Sequence, residues 1–133
     1  MGDGMAHVHF IGLGGTGLSA IALVLLERGQ KVSGSDRQAS PVLSRLEQAG
    51  ARVMFTHQAE NVRGADVVVR SSAVGDDNVE VLAARQAGIP VLKRSEFLGR
   101  FLENYRTIAI AGSHGKTTTT AMIAWMLHEL GLD

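Results

Sequence analysis

The chain has no cysteine among its 133 residues, so neither a disulfide framework nor a thiolate metal site is open to it. It also has no excess of charge. Thirteen Lys and Arg balance thirteen Asp and Glu, and no segment is strongly basic. Non-specific binding to nucleic acid or to a membrane surface therefore has no electrostatic footprint. Long apolar runs are missing too: residues 18–26 form the longest, too short to span a bilayer and without the flanks of a signal peptide. His7, His9 and His128 show no metal-ligand spacing, and surface or packing roles are expected for them. The lack of cysteine fits a cytoplasmic protein. What remains is 45% hydrophobic and 20% charged. That is a globular balance, with length for one ordinary domain and little left for a second. Residues 1–6 read as a loose N-terminal extension.

The rest of the chain is organised around residues 8–19, VHFIGLGGTGLS. A short β-prone run enters a glycine cluster, and an apolar helical pattern follows. Gly12, Gly14 and Gly17 stand in the G-x-G-x-x-G spacing. In that spacing the first glycine permits a tight turn, the second lets phosphates reach the backbone, and the third lets helix and strand pack closely. Free N–H groups and the helix dipole then favour an anion. The plainer reading is a glycine-rich turn with no ligand.

Strand and helix patterns alternate from there on. A helix is expected over 17–28, a strand over 31–35 and a helix from Pro41 with Ser40 as its cap. A short strand follows over 52–55, then a turn over 60–64 and a β-branched strand over 66–70. Asp77 and Glu80 suggest a capping box for a helix over 78–87. A strand over 89–92 and a helix over 96–103 complete the first unit. This order predicts an α/β fold, a Rossmann-like doubly wound parallel sheet of about five strands. The segments after the strands are 12–17, Ser35-Asp36, Thr56-His57, Ser71-Ser72 and Lys93-Arg94-Ser95, and all should meet on one rim, where such sheets bind ligands.

A second phosphate loop follows. Residues 107–111 form another apolar strand, and Gly112-Ser113-His114-Gly115-Lys116-Thr117-Thr118 comes directly after it. Gly-Lys-Thr between a strand and a helix is a nucleoside-triphosphate signature: backbone N–H groups wrap the phosphates, Lys116 reaches the terminal ones and Thr117 can ligate Mg2+. The general spacing would need glycine at Ile110, so the loop is a shortened variant. Residues 118–130 are expected to make an amphipathic helix.

Together these motifs resemble the Mur ligase family. The resemblance rests on residues 9–17 (HFIGLGGTG), 32–36 (VSGSD), 68–73 (VVRSSA) and 108–120 (IAIAGSHGKTTTT), and it spans nearly all of 8–130. The family's short loop reads Gly-Thr-x-Gly-Lys-Thr, which accounts for Ile110. Ser113 replaces the usual threonine. Arg70 interrupts a run that is usually apolar, so β-structure is expected to end a residue early there.

The resemblance implies an ATP-dependent amide-bond ligase of peptidoglycan precursor synthesis, in which ATP converts a substrate carboxylate to an acyl phosphate that an amine then attacks. It implies UDP-N-acetylmuramate, ATP with Mg2+, and L-alanine as partners; a recycled tripeptide in place of alanine is the alternative within the family. Gly12, Gly14, Gly15, Thr16 and Gly17 would hold the UDP-sugar, with Asp36, His57, Ser71 and Ser72 lining its uridine and ribose region. Gly112, Ser113, His114, Gly115, Lys116, Thr117 and Thr118 would bind ATP, with Lys116 the catalytic group and Thr117 on Mg2+. The chain then divides into a UDP-sugar domain over 1–104 and, over 105–133, the first strand, loop and helix of a truncated ATPase domain. A chain ending there is expected to bind sugar nucleotide and to catalyse nothing alone. Apolar Ile123, Trp125, Met126 and Leu130 would be left exposed, and a homo-oligomer through that helix is expected.

Rival readings remain. Asp36 lies nineteen residues after Gly17, where an NAD-binding domain puts its ribose-binding acid, so an oxidoreductase or regulatory NAD domain is the main alternative. A non-catalytic nucleotide sensor is a third. At single positions, Asp36 competes with a solvated strand-end acid and His57 with an exposed loop histidine. His114 is read as shaping its loop, and Met122 with Met126 as helix-face packing. Ser71 and Ser72 have no paired base in view to make either a nucleophile.

Overall fold

The computed structural model describes residues 6–100. The second phosphate loop (Gly112, Ser113, His114, Gly115, Lys116, Thr117 and Thr118) and the helix expected after it lie outside the described residues. Along the chain come β1 (His7–Ile11), α1 (Thr16–Glu27), β2 (Lys31–Ser35), α2 (Pro41–Gln48), β3 (Arg52–Met54), a 3-10 turn (Ala59–Val62), β4 (Val67–Arg70), α3 (Val79–Gln86) and β5 (Val91–Lys93). Residues 94–100 are helical and are labelled α4. The strands form one sheet in the order β3-β2-β1-β4-β5, and every neighbouring pair is parallel. The chain winds outward from β1 through β2 to β3, then returns to the other side for β4 and β5. The reversal falls between β1 and β4, the place where doubly wound sheets open a crevice.

The two faces of the sheet differ in chemistry. On one, Val8 and Phe10 of β1, Val32 of β2, Val69 of β4 and Leu92 of β5 meet α1, α2 and α4 in a large apolar cluster. Phe10 and Phe97 pack edge to face with centroids 6.3 Å apart. On the other, Ile11, Val62, Ala65, Val68, Val81 and Ala84 make a smaller cluster under α3 and the 3-10 turn. The alternation of β1 puts His9 on this second face, and that of β2 puts Ser33 and Ser35 there; all three are buried.

Local signals explain most boundaries, with several shifts. Arg70 stays in the ladder, paired with Ile11 and Lys93, so the strand does not end early. β3 stops at Met54, and Phe55 is exposed. β5 begins at Val91 rather than 89 because Pro90 has no N–H for the ladder, although its carbonyl accepts from Val68. α3 is capped by Asn78, whose side chain accepts from the Glu80 N–H, so Asp77 is not the cap and the Glu80 side chain turns inward. Ser40 and Pro41 open α2 as the sequence suggests, but Ser40 makes no cap bond and its buried hydroxyl has no partner among the described residues. No helix among the described residues is long and apolar enough to cross a membrane.

One close approach sets the position of the glycine loop. Leu13, fully buried, lies over Gly34, where an added Cβ would come within 2.6 Å of Leu13 Cδ2 and 2.8 Å of its Cβ. Gly34→Ala should therefore cost about 1–3 kcal/mol of stability through overpacking. Urea denaturation measures it, and an unchanged midpoint would contradict the account.

Candidate functional site

The glycine loop bends back over the end of β2. The N–H groups of Gly12 and Leu13 both donate to the Ser35 carbonyl, at 2.8 and 3.0 Å, and Gly15 N–H donates to the Gly12 carbonyl at 3.0 Å. Gly12 has φ +85°, and a Cβ there would sit 2.9 Å from Ser71 Cβ, so the turn out of β1 requires glycine. Thr16 then opens α1, with Gly15 as N-cap and no acidic residue in the first turn.

Gly14 does something the spacing does not foretell. Its N–H donates to Asp36 Oδ2 at 2.8 Å, while Asp36 Oδ1 accepts from the Gln38 N–H at 3.2 Å. The missing Cβ at Gly14 admits this carboxylate, since a Cβ there would lie 2.8 Å from Asp36 Oδ2.

Around the loop two hollows adjoin at Gly15, Ser71 and Val74. The larger, about 880 Å³, lies toward β2 and is lined by Gly12, Gly14, Asp36, Arg37, Gln38, His57, Asp77 and Asn78 among others. The smaller, about 540 Å³, lies beyond β4 and β5 and is lined by Gly17, Leu18, Arg70, Ser72, Lys93, Arg94 and Ser95 as well as the shared residues. Each has the size of a small-molecule site. Eight of the nine residues expected to hold the UDP-sugar line the hollows: Gly12, Gly14, Asp36 and His57 in one, Gly17 and Ser72 in the other, Gly15 and Ser71 in both; the ninth, Thr16, is the first residue of α1. Lys116 and the other ATP-loop residues lie outside the described residues.

Beneath the larger hollow is a buried polar cluster centred on Glu80, which is fully buried. Its Oε1 accepts from His9 Nε2 at 2.6 Å and Ser35 Oγ at 2.9 Å. Its Oε2 accepts from Asn61 Nδ2 at 2.9 Å, the Gln58 N–H at 3.1 Å and His57 Nδ1 at 3.2 Å. Ser33 Oγ lies between His9 Nδ1 at 2.8 Å and His7 Nε2 at 2.7 Å. Ser33 Oγ thus links the two imidazoles, and His9 Nε2 reaches the Glu80 carboxylate. Because the Ser35 hydroxyl proton goes to Glu80, Ser35 Oγ accepts from His57 Nδ1–H at 2.9 Å. His57, only 12% exposed, is therefore held at Nδ1 from below, and its Nε2 has no partner among the described residues.

Burial pushes the Glu80 carboxyl up, but hydrogen bonds from His9, Asn61 and Ser35 and the charge interaction with His9 outweigh it, so its pKa lies below the ordinary carboxyl value. The His7 pKa is lowered, mainly by burial and with help from Lys31 and His9, against the opposing pull of a backbone hydrogen bond at Gly64 and of Asp66. At the rim, Arg70 Nη1 donates to Asp76 Oδ1 at 2.6 Å, and Arg85 Nη2 reaches the same oxygen at 3.2 Å. No group of three or more His, Asp or Glu side chains that could hold a metal occurs among the described residues.

Sequence reasoning missed Glu80 as a buried group and left Arg70 out of the site; it placed Lys93 and Arg94 on the rim, where they lie, but gave them no role. A signal for the first was present: His-x-His on β1 and Ser-x-Ser on β2 put polar residues in phase on inner strands, which demands a buried polar partner.

A parallel sheet with a glycine loop at its switch point and a polar crevice beyond its strand ends defines a Rossmann-like nucleotide-binding fold. The chain belongs to the Mur ligase family: residues 7–106 match its catalytic domain. Similar solved structures include the UDP-N-acetylmuramate-alanine ligase MurC of Thermotoga maritima, at 32% identity and TM-score 0.70 over 74% of this chain and 23% of that one. The UDP-N-acetylmuramate:L-alanyl-gamma-D-glutamyl-meso-diaminopimelate ligase of Neisseria meningitides matches at 30% identity and TM-score 0.67, over 73% of this chain and 31% of that one. A murein peptide ligase of Psychrobacter arcticus matches at 30% identity and TM-score 0.67, over 96% of this chain and 27% of that one. The chain thus spans between 23% and 31% of the length of these proteins.

The buried cluster makes stability depend on pH. A depressed pKa in the folded state stabilises above the unfolded value and is lost on acidification. Stability should therefore fall first as the pH drops below the ordinary His7 value of 6.5, and again below the ordinary Glu80 value of 4.5. Glu80→Gln should cost about 3 kcal/mol by leaving donors facing an amide, and it should flatten the second decline. Urea midpoints across pH read both effects; parallel curves for the two proteins below pH 4.5 would contradict the role of Glu80.

Proposed function

We propose that the described domain holds the UDP-sugar substrate of an ATP-dependent amide ligase, one that joins L-alanine to UDP-N-acetylmuramate in peptidoglycan precursor synthesis in the cytoplasm. The observation that carries this reading is the polar crevice at the β1/β4 switch point in a chain of the Mur ligase family. In the whole enzyme ATP and Mg2+ would activate the substrate carboxylate, with Lys116 and Thr117 as their contacts by resemblance. The described residues would bind and orient. Thr16 and Gly17 would offer backbone N–H groups, Ser71 and Ser72 hydroxyls, and His57 its Nε2, while Asp36 would stand beside the ribose. The division at residue 104 between this domain and the start of an ATP-binding one is part of the same reading.

Attachment of a recycled tripeptide is the second reading, supported by the likeness to the two peptide ligases. The alanine-adding reading is preferred for the Gly-Gly-Thr-Gly loop and the slightly higher identity and TM-score of the alanine ligase match. The contacts of Asp36 argue against the NAD rival. Each oxygen already accepts a backbone N–H, from Gly14 of the glycine loop and from Gln38 of its own loop, whereas a dinucleotide-binding acid turns to the ribose hydroxyls.

Calorimetric titration of the 133-residue chain with UDP-N-acetylmuramate, and with NADH in parallel, tests the proposal. Saturable heat is expected for the sugar nucleotide and none for NADH. Binding of NADH alone would reverse the assignment.

A further inference from the structure

The two hollows of the crevice differ in charge, and the difference concerns where a ligand's phosphates sit. Three cations line the smaller hollow, Arg70, Lys93 and Arg94, and no carboxylate does. The larger is lined by two carboxylates, Asp36 and Asp77, against one cation, Arg37. A glycine loop of this spacing ordinarily receives phosphate at its second glycine. Here the Gly14 N–H already donates to Asp36, and Asp36 Oδ2 lies 2.8 Å from where a Cβ would be. A phosphate at that point would meet a fixed negative charge and find its donor taken.

We propose that the diphosphate of a nucleoside diphosphate sugar is held beyond the ends of β4 and β5 by Arg70, Lys93 and Arg94, displaced from Gly14 toward Gly17. This rests on the reading of the crevice as a UDP-sugar site. Lys93 and Arg94 have exposed side chains with no carboxylate partner among the described residues. The nearby Glu96 carboxylate is turned to the Lys93 N–H at 2.8 Å, where it caps α4. Arg70 is aimed by Asp76, whose single charge it shares with Arg85, so the rim stays net positive. The hydroxyls of Ser71, Ser72 and Ser95 and an α1 first turn free of acidic residues complete a wall suited to an anion. The nucleoside then falls in the larger hollow, beside Asp36 and His57, where donors and acceptors outnumber cations.

The test is a titration of the 133-residue chain and its Lys93→Ala/Arg94→Ala variant with uridine, UDP, UDP-N-acetylglucosamine and UDP-N-acetylmuramate, at low and high salt. Both substituted side chains are exposed, and equal melting temperatures verify that the fold is kept. The double variant should lose about tenfold in UDP affinity for each cation removed. Uridine affinity should not change, the loss should be the same for both UDP-sugars, and the salt dependence of UDP binding should shrink. Equal UDP affinity in the two proteins would overturn the proposal while leaving the UDP-sugar reading intact. A loss confined to UDP-N-acetylmuramate would assign the cations to its carboxylate and overturn the diphosphate placement. If no uridine compound binds the unaltered chain, the reading and the proposal fall together.

Discussion

The buried Glu80 carboxylate is the constraint on which the second face of the sheet depends. A lone ionised carboxylate in an apolar interior is prohibitively costly, and it is tolerated only when its oxygens are fully engaged. Glu80 meets that condition with donors from β1, β2, the residues following β3 and the 3-10 turn. The five donors come from four parts of the chain, so the carboxylate fixes α3 in place as well as satisfying polar groups. The apolar cluster under α3 is small, built largely from valine and alanine. It would position the helix loosely without the directional bonds.

The consequence reaches the crevice. Residues 71–78 join β4 to α3 and form the shared wall of both hollows, through Ser71 and Val74. Their far end is anchored where Asn78 caps the helix that carries Glu80. His57 is tied to the same carboxylate and presents only its other edge. Interior hydrogen bonding and crevice shape are thus one network, and the crevice wall is held from beneath by the buried Glu80. The opposite face of the sheet works differently. There the packing of Phe10, Leu18, Ile21, Leu43, Leu46 and Phe97 fixes α1 and α2 by volume.

Within the Mur ligase family this chain carries the parallel sheet and glycine loop over a region equal to about a quarter of its relatives' length. Asp36 ties the glycine loop to the end of β2 by accepting the Gly14 N–H. The same acid at the end of the second strand can face a ribose or close its own glycine loop. Spacing along the chain is identical in the two cases.

Much of this was legible in the residues. The alternation of β-prone runs, glycine stops and apolar helix faces determined an α/β fold with parallel strands, because each pattern is local and each crossover has one favoured hand. Gly12 announced a turn, and the segments after the strands marked the ligand rim for the same reason. Boundaries moved where neighbours decided: Arg70 stays in β4 because Ile11 and Lys93 flank it. Glu80 looked like a capping residue, since only the packing of α3 across β1 and β2 turns a first-turn acid inward. Likewise the two halves of the crevice became unlike in charge only when Asp36 met Gly14 and Arg70 came to lie beside Lys93 and Arg94. The periodic spacing of residues determines which elements form. Which charges face one another depends on distances between residues far apart in the chain, and tertiary structure alone sets those.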